Sequence, residues 1–76
     1  MQFSDLVFKP HRDKNPGHWQ ALHILPDGRS LSVTRWNHRY HFSDADRPYE
    51  VLLADDSLRE YQTASDIDDL LATIMA

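Results

Sequence analysis

Trp19-Gln20-Ala21-Leu22-His23-Ile24-Leu25-Pro26-Asp27-Gly28-Arg29-Ser30-Leu31-Ser32-Val33-Thr34-Arg35-Trp36 is the stretch on which the fold turns. It reads as a β-hairpin, and its register decides which side chains meet a core. Pro26 fixes φ for the first corner of a turn, Asp27 suits the next position, and Gly28 accepts positive φ. A one-residue slip would move every side chain to the other face. A three-residue loop sets Leu22 and Ile24 opposite Ser32 and Ser30, whereas a four-residue loop pairs Ile24 with Leu31 and Leu22 with Val33. Gathering apolar side chains on one face favours the four-residue loop. That register predicts a polar face on which His23 sits beside Ser32, Ala21 beside Thr34, and Trp19 beside Trp36.

Outward from the hairpin, Asn37-His38 reads as a second turn, 39–42 as a strand with Tyr40 and Phe42 on one side, and 43–48 as a polar loop. Tyr49, Val51 and Leu53 then alternate with Glu50, Leu52 and Ala54, the pattern of a half-buried strand. Leu52 falls on its otherwise polar side. Asp55-Asp56-Ser57 turns the chain, and 58–62 returns as an edge strand. Upstream, Phe3, Leu6, Val7 and Phe8 predict a short strand, or a single helical turn after Ser4, followed by a loop over 10–17.

The last segment predicts a helix. Ile67, Leu70, Leu71 and Ile74 recur at i, i+3, i+4 and i+7, a single apolar stripe. Thr63 or Ser65 can cap it, Ser65 with Asp68 forms a loose capping box, and Asp66, Asp68 and Asp69 suit the positive end of the dipole. Eleven or so residues are too few to be helical alone, so the stripe must pack on something. The expected partner is a sheet face of Leu22, Ile24, Leu31, Val33, Val51 and Leu53. The chain therefore reads as one α+β domain over 1–76, an antiparallel β-meander of three to five strands with one C-terminal helix packed on one face.

Tyr49-Glu50-Val51 after a Tyr/Phe strand, a polar turn, and a closing Asp-Ile-Asp-Asp-Leu-Leu helix together resemble small α+β proteins of bacterial and phage genomes. The resemblance covers most of the chain as a pattern and implies an accessory protein. It carries over no functional residue.

At 76 residues with no cysteine, the chain has room for one small core and cannot add a disulfide or a thiolate–metal staple. A second copy of the chain is the simplest staple left. Asp5 near the N-terminus breaks any signal-peptide pattern, and no apolar run could span a bilayer, so a cytoplasmic protein without membrane contact is expected. Charge is uneven. Six Lys/Arg face three acids up to Ser43, while nine acids face two arginines from Asp44 onward. That asymmetry fits either a charged partner or attraction between the halves of one fold.

Chemistry-bearing motifs are sparse. Two glycines cannot build a phosphate-cradling loop, and there is no nucleophile elbow, so no enzymatic activity, cofactor or metal is expected. Of the five histidines, His18 and His23 are an odd number apart on one strand and point to opposite faces; His38 and His41 could meet only through a turn. The Trp19–Trp36 pair, with His23 and Arg39 nearby and Leu52 elsewhere on the sheet, forms the candidate binding surface. Paired indoles stabilise a hairpin, and they also suit a hot spot. The sequence thus predicts a noncatalytic protein-interaction or accessory module, with a homodimer among its forms and no protein partner identified. Aromatics flanked by Lys9, Arg12, Lys14 and Arg39 would also suit single-stranded nucleic acid, although the acidic balance and missing RNP motif weigh against it. The acids of the second half offer a third reading, an inhibitor of a nucleic-acid-binding protein.

Overall fold

A computed structural model describes residues 2–12, 17–36 and 46–74. It contains a five-stranded antiparallel sheet, ordered β1 (Lys9–Pro10), β2 (Trp19–Ile24), β3 (Ser30–Arg35), β4 (Tyr49–Leu52) and β5 (Leu58–Gln62), followed by helix α1 (Ala64–Ile74). A 3-10 turn at Phe3–Asp5 precedes the sheet. The α+β meander with its closing helix is therefore the observed architecture. The strand expected at 39–42 lies outside the described residues, and β3 is hydrogen-bonded directly to β4.

The central hairpin takes the three-residue loop, not the four-residue one. Leu25 N–H donates to Arg29 O at 2.7 Å and Gly28 N–H to Leu25 O at 2.9 Å, leaving Pro26, Asp27 and Gly28 in the loop. The pairs are Ile24 with Ser30, Leu22 with Ser32, Ala21 with Val33 and Trp19 with Arg35. The reason is local. Gly28 has φ +89°, and the third position of this loop demands such an angle. The second hairpin closes alike: Leu53 N–H donates to Ser57 O and Asp56 N–H to Leu53 O, with Asp56 at φ +67° in the corresponding place.

This register sorts the side chains. Ala21, Leu31, Val33 and Val51 face the helix and form one buried cluster with Ile67, Leu70 and Leu71. Ile74 and Leu53 pack partly against it, as do Phe3, Leu6, Phe8 and Tyr49. The helical stripe is thus the expected one. The aliphatic side it covers holds Leu31, Val33, Val51 and Leu53 but not Leu22 or Ile24, which the observed register places on the opposite side.

The ends of the core are closed by specific contacts. Phe3, Phe8 and Tyr49 stack their rings mutually, with centroids 5.0 to 5.9 Å apart. Phe3 N–H also donates to the Asp68 carboxylate, which ties the N-terminal turn to the helix. Of the two possible caps, Thr63 is the one used: Asp66 N–H donates to Thr63 Oγ1 at 3.0 Å and Thr63 N–H to Asp66 Oδ2 at 2.8 Å. The capping box is therefore Thr63–Asp66, and Asp68 is taken up by Phe3. On the edge strand the register shifts between Tyr49 and Val51, and Tyr61 adopts φ +57°, a bulge that bends this edge.

Candidate interaction surface

Side chains alternate across a sheet, so the face away from α1 carries Gln20, Leu22 and Ile24 from β2, Ser30, Ser32 and Thr34 from β3, Glu50 and Leu52 from β4, and Leu58 from β5. Its two ends differ. Toward Trp36, the face is closed over: His18 and Thr34 are buried and Trp36 is half-buried. The Trp36 ring lies 5.0 Å from both His11 and His18, nearly perpendicular to the latter. Nε2 of His18 and Nε1 of Trp36 are both screened from solvent.

Toward the hairpin loops the same face is open and apolar. Leu22 is 69% exposed, Ile24 64%, Leu58 47% and Leu52 42%. Val7, 71% exposed, lines an open cleft of about 500 Å3 together with Lys9, Pro10, Arg12, Gln20 and Leu22. Leucine and isoleucine side chains are ordinarily among the most buried of all. Their grouping on one sheet face makes that side the candidate contact surface.

The expected site residues are dispersed. Trp19, 40% exposed, pairs with Arg35 and lies on the helix side of the sheet, whereas Trp36 lies on the outer side against the histidines. The two indoles therefore do not form a cross-strand pair. His23 is half-buried and pairs with Leu31, not Ser32, again on the helix side. Arg39 lies outside the described residues. Leu52 is on the outer face, opposite Ser32 and Leu58, as its place in the strand suggested. What sequence reasoning missed is Leu22, Ile24, Leu58 and Val7; Gly28 at the third loop position was the signal that could have found the first two.

No family model, curated protein or solved structure matches this chain. Its surface must be read from its own chemistry.

Three acids of the second and first halves have structural occupations. The Asp66 carboxyl is held below the usual range by the backbone N–H of Thr63 and then by its hydroxyl. The hydroxyl of Ser57 and then its N–H lower Asp55 in the same way. Asp27 is lowered chiefly by the N–H of Arg29, with the guanidinium adding to it. Among the described residues no cluster of three or more His, Asp or Glu could hold a metal ion. Nor is any described helix long and apolar enough to cross a membrane.

Proposed function

We propose that this chain is a noncatalytic protein-interaction module, of the accessory kind its bacterial and phage resemblance implies, acting in the cytoplasm through the outer face of its sheet. One observation carries the reading: Leu22, Ile24, Leu52 and Leu58 stand together on the face that α1 leaves uncovered. Each exposed leucine leaves roughly 1 to 2 kcal/mol of burial free energy unrealised, and a docked protein would supply that burial. The bent edge at Tyr61 makes strand addition along β5 a poorer route than contact through the face.

The nucleic-acid reading needs adjacent stacking rings, and Trp19 and Trp36 stand on opposite sides of the sheet. The acidic-inhibitor reading loses Asp55 and Asp66 to turn and cap.

The test is site-specific photo-cross-linking in the source cells. A benzophenone amino acid at Leu22 should give protein adducts, and the same residue at Ser65, on the exposed side of the helix, should give few. Adducts from Ser65 alone, or none from Leu22, contradict the reading.

A further inference from the structure

The outer face is self-complementary, and we infer that its occupant is a second copy of this chain, packed face to face about a two-fold axis running along β3. This rests on the reading of that face as a docking surface. Two rows of side chains carry the argument.

The first row crosses the sheet as Leu22–Ser32–Leu52–Leu58. Continuing the β1–β2 register, Lys9 with Gln20, sets Val7 opposite Leu22, and both line the same cleft. Read across, the row is apolar, apolar, serine, apolar, apolar, symmetric about Ser32 on the middle strand. The second row is Lys9–Gln20–Thr34–Glu50; Thr34 at its centre is already buried within the chain, so this row acts through the charges at its edges. Alternation from Leu58 puts Glu60 on the same side at the far edge. This row is antisymmetric in charge: cationic at β1, acidic at β4 and β5. Arg12, lining the cleft with Lys9, adds to the cationic edge.

A two-fold axis along β3 reverses the strand order of the facing sheet. The copy's β1 then lies over β5, its Leu22 over Leu52, and its Ser32 over Ser32. The same operation sets Lys9 over the copy's Glu60, twice by symmetry. Opposite charges meet at both edges and apolar side chains meet between them, which one operation on one surface must satisfy together in an isologous contact. Sheets packed this way lie about 10 Å apart with strands within roughly 30° of alignment. At about 4.8 Å per strand the sheet is about 20 Å across, and the contact buries on the order of 1,000 Å2 in total. That is the low end for specific pairs, the size class of weak or transient contacts.

Sedimentation equilibrium of the purified chain across the micromolar range should give a mass rising from one copy to two. Leu22→Asp should leave only monomer, with circular dichroism unchanged and the melting temperature of the dilute, monomeric wild type, since Leu22 is outside the core. Lys9→Glu and Glu60→Lys should each weaken the dimer at least tenfold, while an equimolar mixture of those two variants should pair again. The chain has no cysteine of its own. Ser32→Cys should therefore be joined to its copy by a short bis-maleimide, and Ser65→Cys should not. A wild type monomeric throughout, or a dimer indifferent to Leu22→Asp and to the charge exchanges, overturns the proposal. The Leu22 photo-cross-link then separates the two readings: adducts with a different protein keep the docking surface and remove the self-contact, and no adducts remove both.

Discussion

At φ +89°, Gly28 occupies backbone space that an L side chain enters at a cost of about 1 to 2 kcal/mol. A Cβ built there would meet nothing within 4 Å, so the cost of Gly28→Ala is conformational and not steric. We expect that variant to lose about 1 kcal/mol in urea unfolding, with the slope unchanged. Thr63→Ala should cost about 0.5 to 2 kcal/mol by removing the cap of α1. Its partner Asp66 gives the pH dependence. A carboxyl lowered in the folded state stabilises above its unfolded value, near the reference 3.8, and that contribution disappears as pH falls through the folded value. Asp66→Asn should therefore melt lower than wild type at neutral pH, and the gap should close as the pH is taken below about 4. A gap that is constant with pH contradicts the capping role. The two indoles separate by solvent contact: iodide should quench the Trp36→Phe variant, which retains exposed Trp19, more strongly than Trp19→Phe.

Elements differ in how openly the sequence announces them. Helix α1 was legible from its stripe at 3.6 periodicity, but its capping box was not: the expected Ser65–Asp68 box gives way to Thr63 with Asp66. Strand β4 was legible too, where Tyr49, Val51 and Leu53 alternate cleanly. The β2–β3 hairpin was legible as an element but not in register. Maximising apolar pairs on one face is sound when every apolar side chain belongs to the core of its own chain, and here Leu22 and Ile24 do not. The backbone demand at Gly28 outweighed the gain from pairing them with Leu31 and Val33. The same misreading put Trp19 beside Trp36, because one residue of slip exchanges faces. The N-terminal turn was half legible: Phe3 and Phe8 reach Tyr49 across the fold, a contact no local pattern reveals. Truncations should report the register directly. Leu71→Ala or Val33→Ala, both in the buried cluster, should cost about 2 to 4 kcal/mol, enough to leave so small a domain largely unfolded. Leu22→Ser should change the stability of the monomer by no more than about 0.5 kcal/mol.

At the scale of the molecule, among the described residues, one helix covers one side of a five-stranded sheet, and His11, His18 and Trp36 close one end of the other side. The sequence has no cysteine to form a disulfide, the described residues include no second helix, and Leu22, Ile24, Leu52 and Leu58 on the rest of that side are exposed. This division into a covered and an uncovered face underlies both the docking reading and the face-to-face dimer. The most direct test is a methyl NOESY spectrum of the dilute, monomeric chain. Methyl groups of Leu31, Val33 and Val51 should show cross-peaks to Ile67 and Leu71, while those of Leu22 and Ile24 show none to the helix. Cross-peaks joining Leu22 or Ile24 to Ile67 or Leu71 would place them under the helix and contradict the register on which the uncovered face depends.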